Sequence, residues 1–93
     1  MNNYESVIII NPAVSDEEKN AFIEKTKKLI SSNGEVVSVD EWGKKVLAYP
    51  INKQKEGIYL LFTFNSKPEF IAEFERLLRL DEQVIKHLVI KKN

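Results

Sequence analysis

The 93-residue sequence contains no cysteine and a single histidine, His87. The first absence excludes disulfides and thiolate metal sites. The second leaves a lone histidine within an apolar strand, with no second ligand or nucleophile nearby in sequence. There is no GxGxxG or GxxxxGK[ST] segment, so the glycine-rich phosphate cradles of nucleotide enzymes are missing. No excess of one charge exists either: 14 Lys and Arg balance 14 Asp and Glu, and net charge selects no partner. The apolar runs are far too short to span a bilayer. The start, MNNYESVIII, lacks the basic segment and small-residue cleavage site of a secretory signal. Residues 1–93 are expected to form one soluble, cytoplasmic domain with no membrane partner.

What is present is a globular mixture, 43% hydrophobic and 30% charged, arranged in two similar halves. In SDEEKNAFIEKTKKLISSN (15–33), Ser15 is a natural N-cap and Glu18 completes a capping box. Asp16 and Glu17 add negative charge at the positive end of the helix dipole. Phe22, Ile23, Thr26, Leu29 and Ile30 share one face, and Asn33-Gly34 reads as the stop. In SKPEFIAEFERLLRL (66–80), Ser66 is the expected cap, Pro68 sits in the first turn and Glu69 closes the box. Phe70, Ile71, Phe74, Leu77 and Leu78 repeat the spacing of the first helix.

Four strands surround these helices. YESVIII (4–10) ends at the turn signal Asn11-Pro12. A long second strand runs through EVVSVDEW and KKVLAY, with a bulge or a positive φ expected at Gly43. IYLLFTF (58–64) and VIKHLVIK (84–91) are the third and fourth. The order β-α-β-β-α-β with right-handed crossovers predicts an α+β, ferredoxin-like split βαβ fold. Its antiparallel sheet has four strands, with both helices on one face, strands one and three central, and strands two and four at the edges. Pro50 suits an edge, and Lys44 and Lys45 discourage edge-to-edge association.

Function is then sought on the uncovered face. Alternation along the third strand sends Ile58, Leu60, Phe62 and Phe64 under the helices and leaves Tyr59 and Leu61 outside. Beside them stand either Val7 and Ile9 or Ser6 and Ile8. Either choice exposes apolar groups, the usual mark of a partner surface. Catalysis is hard to build here. His87 reads as a structural residue of an apolar strand. Among enzymes of this fold, acyl-phosphate hydrolysis needs an anion-cradling loop with an arginine after the first strand, where NPAVSDEE supplies acids. No enzymatic activity, cofactor, metal or small-molecule substrate is expected. Charge is nevertheless placed. GKKVLAYPINKQKEG (43–57) holds four lysines against one glutamate, and the last ten residues hold Lys86, Lys91 and Lys92 without an acid. Acids crowd the helices at Asp16, Glu17, Glu18, Glu24, Glu69, Glu73 and Glu75. This pattern favours a polyanion on the sheet side.

The residues YE (4–5), NP (11–12), DEWGKKVLAYPINK (40–53), GIYLLFTF and VIKHLVIK resemble bacterial ribosomal small-subunit protein six across nearly the whole chain. The most specific element is Gly43-Lys-Lys-x-Leu-Ala-Tyr-Pro-Ile51. The resemblance implies a structural protein that binds the central domain of 16S ribosomal RNA together with small-subunit protein eighteen. RNA-binding candidates are Asn2, Asn3, Tyr4, Lys44, Lys45, Lys53, Lys55, Lys86, Lys91 and Lys92. Candidates for the protein-partner surface are Val46, Leu47, Tyr49, Tyr59 and Leu61. Asn2 and Asn3 stand where relatives often carry basic residues, and Lys86 where arginine is usual. Two alternatives are an RRM-like reader of single-stranded RNA and a homo-oligomeric ligand-sensing domain of the same fold. EGIYLLFTF is a faint match to the RRM strand motif, but Glu56 replaces its basic residue.

Overall fold

Helix α1 (Asp16–Ser31) begins where its capping box places it. The Glu18 amide donates to Ser15 Oγ at 3.1 Å, and the Ser15 amide donates to Glu18 Oε1 at 2.9 Å. At the other end the stop differs from the expected one. Ser32 is the C-cap, and Asn33 Nδ2 donates to the Leu29 carbonyl at 3.0 Å. Gly34 does not supply a left-handed turn. It is the first residue of strand β2, where only glycine fits because a Cβ would lie 1.9 Å from the Asn65 carbonyl oxygen.

Helix α2 (Pro68–Leu80) departs further from expectation. Its N-cap is Lys67, with no side-chain cap bond, and Ser66 is instead the buried last residue of a strand. Pro68 explains the shift. Its fixed φ and missing N–H suit the first helical position, which makes the preceding residue the cap. Ser66 Oγ donates to the Lys67 carbonyl.

The computed structural model describes residues 1–51 and 54–92. Its strands are β1 (Asn2–Ile10), β2 (Gly34–Ile51), β3 (Gln54–Ser66) and β4 (Val84–Lys91). They form one antiparallel sheet in the order β2-β3-β1-β4, with β3 and β1 central. Register divides the side chains into two sets. Tyr4, Ser6, Ile8 and Ile10 of β1 stand opposite Phe64, Phe62, Leu60 and Ile58, and all eight are buried. Phe22, Ile23, Ile30, Phe70, Phe74 and Leu78 from the helices close this core. Phe64 meets Phe74 edge-on at 5.6 Å, and Phe70 stacks on Phe74 at 5.3 Å. Burying one such ring contributes about 1.5–3 kcal/mol, with roughly 0.5–1.5 kcal/mol more from each aromatic pair.

The register of β2 slips three times, between Val36 and Ser38, between Glu41 and Gly43, and between Val46 and Ile51. Gly43 has φ 80°, as the bulge expectation requires. An added Cβ there would meet nothing within 4 Å, so the backbone conformation alone demands glycine.

Candidate nucleic-acid interface

The uncovered face of the sheet reads as three cross-strand rows from β4 to β2. Nearest the hairpin lie Lys86, Ile9, Tyr59 and Gly43. Next come Leu88, Val7, Leu61 and Asp40, then Ile90, Glu5, Thr63 and Ser38. The ambiguity in β1 is thereby resolved: Val7 and Ile9 face outward, while Ser6 and Ile8 lie under the helices.

The hairpin row is aromatic and basic. Because Trp42 sits inside the second bulge, its indole lies over Tyr59, with ring centroids 6.5 Å apart and planes 21° apart. Lys45 Nζ stands 5.2 Å from the indole centroid. Lys45 is opposite Gly57, where a Cβ would come within 2.3 Å of Ile9 Cγ2. Leu47 is only 7% exposed, and the hairpin side chains Leu47 and Tyr49 form a small cleft with Ile9, Tyr59 and Lys86. Residues 47–49 of β2 therefore share a cleft with Lys86 of β4 at this end of the sheet. Lys44, Lys55 and Lys86 are all exposed.

Several candidates are not where a linear reading puts them. Tyr4 belongs to the core, 5% exposed, with its ring 5.6 Å from Phe64 and its hydroxyl accepting from Asn2 Nδ2. Leu47 is buried beside Ile9 and Gly57. The three C-terminal lysines do not form one group. Lys86 joins the hairpin row, whereas Lys91 stands opposite Tyr4, five residues along the strand. At about 3.4 Å per residue that is roughly 17 Å away. Lys92 Nζ pairs with Glu5 at 3.3 Å, and its amide donates to the carbonyl of the exposed Asn3. Lys53 lies outside the described residues.

The acidic character of the helical layer also needs correction. Helix α1 carries Lys19, Lys25, Lys27 and Lys28 against Asp16, Glu17, Glu18 and Glu24. In α2, Arg76 and Arg79 face three glutamates. The layer is nearly neutral, so the charge pattern is a basic hairpin end rather than two opposed faces. Lys19 pairs with Glu41 at 2.8 Å, which holds the lysine above its ordinary pKa.

The remaining partner candidates separate by exposure. Val46 and Tyr49 project from the hairpin at 76% and 72% exposure, while Tyr59 and Leu61 are half-buried on the open face. The linear reading missed Leu88 and Ile90, which extend the apolar middle of that face onto β4 at 53% and 45% exposure. The run LVI (88–90) is apolar at every position, so alternation along the sequence did not single out the outward pair.

Other chemistry finds little support. His87 stands opposite Ile8 on the helix-covered side, and its buried Nδ1 has no partner among the described residues. Those residues contain no cluster of three potential metal ligands. A cleft of about 380 Å³ between α1 and α2 is lined by Phe22, Leu29, Phe74, Leu77 and Leu80. Its polar contribution is Thr26 and the Lys25–Asp81 ion pair at 2.6 Å. That is too little convergent polarity for ligand sensing. No helix among the described residues is long and apolar enough to cross a membrane.

Comparison with known proteins agrees with this architecture. The sequence profile described as Ribosomal protein S6 matches residues 3–91. Small ribosomal subunit protein bS6 of Caldanaerobacter subterraneus subsp. tengcongensis is 42% identical over 98% of this chain and 97% of its own length. The protein of the same name from Clostridium novyi is 46% identical over 97% and 96%. The crystal structure of 30S ribosomal protein S6 from Thermotoga maritima superposes with a TM-score of 0.92. It is 30% identical, covering 98% of this chain and 87% of that one. The chain thus belongs to the ribosomal protein S6 family, structural and non-enzymatic components of the small ribosomal subunit in the cytoplasm.

Proposed function

We propose that this protein binds the central domain of 16S ribosomal RNA jointly with small-subunit protein eighteen, using two adjoining surfaces. The observation carrying this reading is their separation on one sheet. Lys45 and Lys86 stand on the open face at the hairpin end, next to the apolar middle of Leu88, Val7 and Leu61, with Lys44 beside them at the edge opposite Ile58 and Lys55 in the returning arm. Lysine contacts to phosphate supply affinity without sequence information. The apolar stripe supplies area that is excluded from water only when a protein covers it. Stacking by bases is disfavoured at Tyr59, because the indole of Trp42 already lies over it. This sets the protein apart from an RRM-like reader.

Neither surface is large, so the two partners should reinforce one another. Affinity for a 16S central-domain fragment is measured with and without protein eighteen. Tightening by roughly 1–3 kcal/mol is expected for sites linked in this way. Equal affinity in both conditions would remove the case for a composite surface.

A further inference from the structure

We propose that Trp42 is a positioning residue for Lys45, and that the second bulge of β2 exists to put the two together. The proposal rests on the RNA-binding reading above and extends it to a residue that touches no RNA in this scheme. Three observations converge. First, the register slip between Glu41 and Gly43 and the positive φ of Gly43 place the indole over Tyr59, where one ring face is covered. Second, Lys45 Nζ lies 5.2 Å from the indole centroid, close enough for a cation–π attraction. Third, Lys45 stands opposite Gly57, which has no side chain to steady it from across the ladder. A long lysine side chain loses much rotamer freedom when it meets a phosphate. The indole takes up part of that loss before RNA arrives. With Tyr59 and Lys45 both against its rings, Trp42 acts in this scheme as a support for Lys45.

A double-substitution cycle with a free-protein readout tests this. Affinity for the 16S central-domain fragment, in the presence of protein eighteen, is measured for the native chain, Trp42→Leu, Trp42→Phe, Lys45→Gln and Trp42→Leu/Lys45→Gln. In the free protein, the Lys45 ε-methylene proton shifts are recorded by NMR, since a nearby indole face moves them upfield. Trp42→Leu should weaken binding about two- to five-fold, the worth of an exposed cation–π contact. It should do almost nothing once Lys45 is Gln. Trp42→Phe keeps an aromatic face and the hairpin packing, so it should recover part of the loss. The upfield shift should be present in the native chain and absent in Trp42→Leu. Equal losses in both Lys45 backgrounds, or no upfield shift in the native chain, would overturn the positioning role. A native chain that fails to bind the RNA would overturn the RNA-binding reading, and this proposal with it. That outcome is distinguishable, because it needs no variant and leaves the shift in place.

Discussion

Replacing Lys44, Lys45 and Lys86 by Gln removes three cations that the fold gathers at the hairpin end from two strands on opposite edges of the sheet. Each phosphate contact adds about 0.7–0.9 to the slope of log affinity against log salt. Three lost contacts should therefore flatten the slope by roughly two to three units. A rise from 50 to 200 mM salt is about 0.6 log units, so the affinity lost over that interval should shrink roughly 20- to 40-fold relative to the native chain. The control is Lys91→Gln/Lys92→Gln. Lys92 already pairs with Glu5, and Lys91 stands opposite Tyr4 beyond the apolar rows. Those two changes should alter the slope by less than about one unit. Fluorescence anisotropy with a labelled central-domain fragment, in the presence of protein eighteen, reads both. A C-terminal variant that flattens the slope as much as the triple variant would refute the division of lysines argued here. So would a triple variant with an unchanged slope.

Three further outcomes test the scaffold. Gly43→Ala should cost about 1–2 kcal/mol, the penalty for a side chain in left-handed backbone. Gly34→Ala should cost more, since its Cβ would lie 1.9 Å from the Asn65 carbonyl oxygen and the two strands must part to admit it; urea titrations that rank the pair the other way would contradict this. Lys67→Ser offers α2 the cap it lacks and should raise stability by about 0.5–1 kcal/mol, measured by thermal unfolding. The Glu18 carboxyl lies below its ordinary value of 4.5 because it accepts the Ser15 amide. A depressed folded pKa gives stability that is present above pH 4.5 and lost as pH falls through the folded value. The Tm advantage of the native chain over Glu18→Gln should therefore be constant above about pH 5.5 and fade below 4.5; an advantage that persists at pH 2 would count against the capping contact.

Element order and type were legible because capping and periodicity agree at each helix and because the third strand alternates cleanly. The misreadings have physical causes. Ser66 looks like a cap, but cap position follows from Pro68 occupying the first helical position. Alternation could not choose the outer set of β1, because Ser6 and Ile8 are together no more apolar than Val7 and Ile9. The core takes the serine, whose buried hydroxyl lacks a partner among the described residues. Along the sequence Lys86 belongs with Lys91 and Lys92, yet an extended strand carries neighbours far apart while the folded hairpin brings Leu47 and Tyr49 to Lys86. Trp42 was visible only as the residue before the break expected at Gly43. Its contacts with Tyr59 and Lys45 depend on the hand of a bulge, which no linear pattern encodes.

The basic hairpin end has a consequence for how the protein is sensed at a distance. Lys45 stands opposite Gly57 and Glu35 opposite Asn65, eight residues further along β3, or roughly 27 Å at about 3.4 Å per residue. At 0.15 M ionic strength the Debye length is about 8 Å, so an RNA strand at the hairpin feels the lysines and not the acids at the far end. At 0.01 M it is about 30 Å, and the whole neutral molecule is felt at once. The share of the cancellation that comes from distant acids such as Glu35 is thus screened at 0.15 M and emerges only on dilution of salt. Binding should stop tightening there, where a uniformly basic protein would continue to gain affinity.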